Sequence, residues 1–249
     1  MLIVLLLLIA CGSTSDEEVV TRKEAGLPSE PARTPPVVVI PSETAEPASA
    51  ILSADIAALV DKGKAQTNYK YSFASRSRNQ YGNYDEATKF DLYYKEGLAK
   101  KVYASSQRRD TTTFYNEVYI DFAKKKAVGV CNSATVLCGS SENKAYPLEY
   151  DQERPVVLLH LLDAIGSDAR KLRVGLFDQR SVMVIEYSNW QGKREQLFID
   201  TYYGLPLQQE TYITQGDEQI LEKRNSFTTM VVGSIKNKDV TLPENYVLQ

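Results

Sequence analysis

The chain has 249 residues, 43% hydrophobic and 24% charged, with a net charge of -3, the profile of an ordinary globular protein rather than a disordered or fibrous one. Residues 12–50 hold seven acidic and three basic residues, a balance of -4, which leaves +1 for the remainder. Nucleic-acid binding calls for a strong basic surplus; the short clusters Lys124-Lys125-Lys126 and Arg170-Lys171-Leu172-Arg173 read as solvated turns and strand edges, and no nucleic-acid partner is expected.

Leu2 to Cys11 reads LIVLLLLIAC. Nine apolar residues are about half of the ~20 that a membrane-spanning helix needs, and they suit the apolar region of a signal peptide. Leu8-Ile9-Ala10-Cys11-Gly12 resembles the lipobox of prokaryotic lipoproteins, which implies lipidation of Cys11 and cleavage before it. No Lys or Arg precedes the apolar run, and an ordinary secretory signal with an incidental Cys is the competing reading. Two or more acyl chains hold a protein stably on a bilayer, at ~0.8 kcal/mol per buried CH₂. The expectation is an extracytoplasmic protein, at the cell surface or in the periplasm, lipid-anchored to a prokaryotic membrane.

Residues 12–50 carry six of the ten prolines and no aromatic residue, so they read as a Pro/Ser/Thr/Glu-rich disordered stalk. Val37-Val38-Val39-Ile40 is bracketed by Pro36 and Pro41 and is left unstructured. All aromatic residues lie at or beyond Tyr69, which places the core in one folded domain, residues 51–249.

That domain opens with a helix starting at Ser49 or Ser53, with Leu52, Ile56, Leu59 and Val60 on one face and Gly63 as its stop. Period-two alternation then predicts meander strands over Asn68–Arg76, Lys89–Lys95, Leu98–Ser105, Thr112–Phe122 and Ala127–Cys131, with Tyr146–Tyr150 closing the section. Pro155 to Gly166 predicts an almost wholly apolar helix buried on more than one side. Strands follow at Lys171–Phe177, Ser181–Ser188, Arg194–Thr201, Leu205–Ile213 and Ser226–Ile235, with a tail at Val240–Leu248. The fold class is α+β with one large antiparallel sheet.

Assigning Cys11 to lipid leaves Cys131 and Cys138 as a pair, expected to form a disulfide in an oxidising compartment and to gain about 2.5 kcal/mol from loop closure. Zinc is the alternative, but one Cys pair and the single His160 fall short of four ligands, so neither a metal nor another cofactor is expected. His160 is read as a satisfied buried imidazole rather than a base. Asp163 with Asp168 and Asp85 with Glu86 show only surface or capping roles, and no phosphate-binding glycine loop is present. A non-enzymatic protein without catalytic residues is the expectation.

Phe198-Ile199-Asp200-Thr201-Tyr202-Tyr203-Gly204-Leu205-Pro206-Leu207 is similar to the hairpin of the lipoprotein-carrier superfamily of LolA-, LolB- and LppX-like proteins, and Asp239 to Tyr246 is similar to its closing segment. The resemblance covers residues 51–249. It implies a curved antiparallel sheet, a half-open barrel covered by helices, with lipid or acyl chains held in the apolar space between. The Cys131 to Cys138 loop departs from the superfamily's pattern and suggests a distinct subfamily. Candidate lining residues are Tyr71, Phe73, Phe114, Val118 and Ile120 on the sheet, with Leu158, Leu159 and Leu162 on the apolar helix. The same residues serve equally as solid core. Two functions stand: binding or transfer of a hydrophobic ligand, or a non-catalytic module of the same fold that binds an envelope protein.

Overall fold

The computed structural model describes residues 52–85, 88–134, 136 and 138–249. The signal segment with Cys11 and the stalk at residues 12–50 lie outside the described residues.

Alternation of apolar and polar side chains produces two antiparallel meanders. In the first, β1 (Asn68–Ser77), β2 (Lys89–Lys95), β3 (Leu98–Arg108), β4 (Phe114–Asp121), β5 (Lys126–Val130) and β6 (Lys144–Leu148) pair in chain order. The second consists of β7 (Arg170–Phe177), β8 (Arg180–Ser188), β9 (Arg194–Asp200), β10 (Pro206–Gln215) and β11 (Glu218–Val232). Antiparallel pairing of β1 with β11 joins them, and β12 (Val247–Leu248) adds a short parallel pair at β6. Among the described residues the result is one unclosed sheet of twelve strands, with β7 and β12 at its edges.

The helices are short. α1 (Ala54–Lys64) buries Ile56, Leu59, Val60 and Gly63, the i, i+3, i+4, i+7 stripe of an amphipathic helix. Ser53 precedes it, but its Oγ donates to Asp55 Oδ1 at 2.7 Å instead of accepting a backbone N–H. Gly63 lies inside the last turn rather than ending the helix, because its bare Cα is needed for contact: a Cβ there would press on the carbonyl oxygen of Gly204. Gly204, at φ +75°, ends the tight turn after β9, where Asp200 Oδ1 accepts the N–H groups of Tyr202 and Tyr203.

The apolar helix expected from Pro155 to Gly166 is only α3 (Leu158–Asp163), preceded by α2 (Tyr150–Glu153). Arg154, before Pro155, has ψ 115°, as a residue preceding proline prefers, and Val157 stays extended at φ -82°, ψ 128°. The carbonyl of Val156 is taken by the Tyr71 hydroxyl, which replaces a helical hydrogen bond. Leu158, Leu161 and Leu162 are buried, Leu159 is half-buried and His160 is exposed, so α3 is an amphipathic helix with one buried side, and the buried-imidazole reading of His160 is corrected.

Ile56, Leu59, Val60, Leu158, Leu161 and Leu162 join Tyr69, Tyr71, Leu92, Ile185, Leu197 and Phe227 in one buried cluster on the inner face of the sheet. On the outer face a smaller cluster of Tyr119, Val128, Val130 and Ala145 is covered by Leu242 and Tyr246 of the closing segment, after α4 (Asn237–Val240). Cys131 and Cys138, both buried, are joined by a disulfide between β5 and β6. Among the described residues no helix is long and apolar enough to cross a membrane.

The Gly63–Gly204 contact is tight enough to test. A Cβ on Gly204 would sit 2.5 Å from the Leu59 carbonyl oxygen and force an unfavourable positive φ. Gly204→Ala is expected to cost about 2–4 kcal/mol. Urea unfolding followed by circular dichroism checks it; a midpoint equal to that of the parent protein would mean that helix and turn do not meet in this way.

Candidate functional site

The inner face carries rows of rings. Tyr69 stacks on Tyr94 at 4.8 Å, Phe73 on Phe90 at 4.7 Å, and Tyr71 meets Phe227 edge-on at 5.3 Å. Of the predicted lining residues, Tyr71, Phe73, Val118, Ile120, Leu158 and Leu162 all belong to the buried cluster, and Leu159 packs at its border. Between sheet and helices these side chains make a filled core; Tyr71, Val118 and Leu158 have no exposed surface.

Phe114 lies outside that cluster. The register of β3 against β4 shifts between Val102 and Gln107, so alternation counted back from Val118 fails at the start of β4. Phe114 is half-exposed with its backbone N–H on Ser141 Oγ, and its neighbour Tyr115 packs against the core instead.

The wall opens on the other side of β3. Pairing of β2 with β3 stops at Asp91 and Val102, although β3 runs on to Arg108. In the splay between them lies an open slot of about 420 Å³, lined by Phe73, Phe90, Val102, Tyr103 and Ala104 among others. Phe73 is the one predicted residue that borders it.

Beside the slot sits a buried ion pair that sequence reasoning did not single out. Lys101 and Glu153 are 4% and 7% exposed. Lys101 Nζ donates to Glu153 Oε2 at 2.7 Å and to the Glu153 carbonyl at 3.1 Å. Tyr103 donates to Oε2 at 3.1 Å and Tyr115 to Oε1 at 2.6 Å. The ammonium also lies 5.0 Å from the ring centres of both Phe90 and Tyr103, two walls of the slot. Tyr115 and Glu153 line a second recess of about 240 Å³ together with Arg108 and Arg109. The network therefore stands where an apolar opening and an arginine-bearing recess come together.

Burial pushes the Glu153 carboxyl up, but the hydrogen bonds from Lys101 and Tyr115 outweigh it and hold the group below the usual glutamate value. Burial lowers the Lys101 ammonium, with Glu153 opposing the shift. Burial and the neighbouring carboxylate raise both tyrosines, which stay protonated donors. The one signal in the sequence was position: Lys101 falls on the same strand parity as Ala99 and Tyr103, where an inward lysine needs a partner. Glu153 is 52 residues away, and nothing local links the two.

Removing one partner strands a buried charge. Lys101→Met is expected to destabilise by about 3–5 kcal/mol, and adding Glu153→Gln to restore most of the loss. Because the Glu153 value is depressed on folding, its contribution is present above about pH 4.5 and fades as pH falls through the lower folded value. Urea titrations of both variants at pH 7 and pH 4 read this; a Lys101→Met deficit that does not shrink at pH 4 would contradict the pairing.

No family model matches the chain, and no curated protein does. Solved structures similar to it include LprF from Mycobacterium bovis, with 10% identity over 79% of this chain and 100% of that chain and a TM-score of 0.45. MucB of Pseudomonas aeruginosa, in its complex with MucA, matches at 14% identity over 77% of this chain with a TM-score of 0.43; the chain spans 61% of the MucB chain. A LolA superfamily protein from Nitrosomonas europaea matches at 10% identity over 75% of this chain and 97% of that chain, with a TM-score of 0.32.

Proposed function

We propose that the chain is an extracytoplasmic lipoprotein of the lipoprotein-carrier superfamily that holds the apolar part of an amphiphile, with no catalytic step. The observation that carries this reading is the slot between β2 and β3, where Phe73, Phe90, Val102 and Tyr103 present an apolar opening beside the Lys101–Glu153 pair. Apolar walls with a few convergent polar groups are the usual composition of a small-molecule site. The buried cluster between sheet and helices supplies the floor, so a chain enters through the wall of the sheet and an acidic headgroup comes to rest near the arginine recess. Residues 198–207 and 239–246 support the superfamily assignment.

Ala104 lines the slot and is exposed, so it can be enlarged without disturbing the core. Full-length protein carrying Cys11→Ser is expected to take up a dansyl-labelled fatty acid, and Ala104→Trp in that background to weaken uptake at least tenfold, about 1.4 kcal/mol. Equal uptake by both forms, or none by either, removes the slot as the site. A competing reading, a protein-binding module, finds its support at the edge strand β7, where Leu172, Val174 and Leu176 are exposed; it predicts no uptake by either form.

The anchor has its own test. Cys11→Ser is expected to move the protein from the membrane fraction to the soluble fraction, and continued retention in membranes would rule out lipidation at Cys11.

A further inference from the structure

Along β8 to β11 the inner face changes character. Strand pairing sets Ile185 beside Leu197, and one step further Tyr187 beside Glu195, with Gln209 beside Asn225 on the neighbouring strands. Tyr187 and Gln209 Nε2 donate to Glu195 Oε2 at 2.8 Å each, and Asn189 Nδ2 donates to Oε1 at 2.8 Å. Asn225 Nδ2 donates to Gln209 Oε1 at 2.9 Å. This chain of side chains is fully oriented, yet it ends unsatisfied: Asn225 is 5% exposed and its Oδ1 has no partner among the described residues. A buried acceptor left unpaired costs about 1–3 kcal/mol, a cost that a bound donor removes.

A pocket of about 460 Å³ opens onto this row, with Glu195, Gln209 and Asn225 among its lining residues. At its rim stands Trp190, 90% exposed. Its turn is built firmly: Asn189 Oδ1 accepts from the N–H groups of Gln191 and Lys193 at 2.9 and 3.0 Å, and Gly192 donates to the Asn189 carbonyl at 2.8 Å. An ion pair of 2.5 Å between Lys193 and Glu222 ties that turn to β11.

The lining selects a ligand class. It contains no aliphatic side chain, which excludes an acyl chain and separates this pocket from the slot. Arg78, Lys193 and Lys223 face Glu195 and Glu222, a near balance that favours an uncharged molecule. Amides and a carboxylate in fixed orientation suit groups that both donate and accept, and a solvated indole suits a flat patch of C–H groups. Hydroxyls on a ring with an apolar face combine the two requirements. We propose that this pocket is a saccharide site, in which Trp190 stacks on a pyranose face while Asn225, Gln209 and Glu195 bind its hydroxyl groups.

Trp190 is the only tryptophan in the chain, so its emission reports on this pocket alone. Full-length Cys11→Ser protein is titrated with di-N-acetylchitobiose, cellobiose and maltotriose. The expected result is a saturable blue shift with at least one of them, half-complete below about 1 mM, equivalent to roughly 4 kcal/mol of binding. Calorimetry with Trp190→Ala is expected to show no binding heat. Gln209→Ala is expected to weaken the shift at least tenfold, and the Trp190→Ala calorimetry, at an exposed position, decides the matter if that variant fails to fold. No saturable shift with any of the three sugars, a shift left unchanged by Gln209→Ala, or full binding heat in Trp190→Ala overturns the proposal.

Discussion

Pairing between β1 and β11 is the constraint on which everything else rests. Each meander is local in sequence, but Tyr69 faces Val232 across 163 positions, and this seam alone makes one sheet of two. Its register is interrupted once, between Lys70 and Ser72, where Thr229 adopts φ +51°. Beyond that bulge Phe73 lies opposite Phe227, so the aromatic residues of both meanders share the inner face. A slip of one residue would send Tyr69, Tyr71 and Phe73 to the outer face and leave α1 and α3 without a floor. Pairing over so long a separation closes slowly, and the buried aromatic contacts are the return on it.

From that seam the inner face divides by chemistry. Where α1 and α3 pack, it carries buried rings and aliphatic chains. The helices are too short to reach the rest. Beyond them the sheet solves the problem of an exposed concave face in two ways. On the β2–β3 side the strands part and leave an apolar slot, with a buried ion pair closed by two tyrosines. On the β8–β11 side the side chains become amides and carboxylates that bind one another. Hydrogen bonds orient the ion pair completely, whereas the amide row is oriented up to Asn225, whose Oδ1 has no partner among the described residues.

Strands with a clean period of two were legible: β2 begins and ends at the expected residues, and β7 to β9 fall within one residue of expectation. The first half of β11, from Glu218 to Asn225, was missed because its only apolar residues, Ile220 and Leu221, are adjacent and carry no alternation. Composition overstated the apolar helix, since Leu and Val in a row say nothing of Tyr71, which takes the Val156 carbonyl from 85 positions away. Phe114 failed for the same kind of reason: a register shift is a property of two strands, and periodicity within one strand does not contain it. Lys101 with Glu153, and Gln209 with both Glu195 and Asn225, are likewise contacts made by the fold.

The open edges complete the logic. A closed barrel would remove β7 as an edge; here the sheet is unclosed and β7 stays at its border. The other edge is shielded differently: β12 covers β6 in parallel, and the segment before it packs Leu242 and Tyr246 over the outer cluster. Among the described residues no strand pairs with the free edge of β7, and its Leu172, Val174 and Leu176 are exposed beside the ion pairs of Arg170 with Glu186 and Lys171 with Asp55. The cost of the open sheet therefore falls on the edge strand β7 and these exposed side chains.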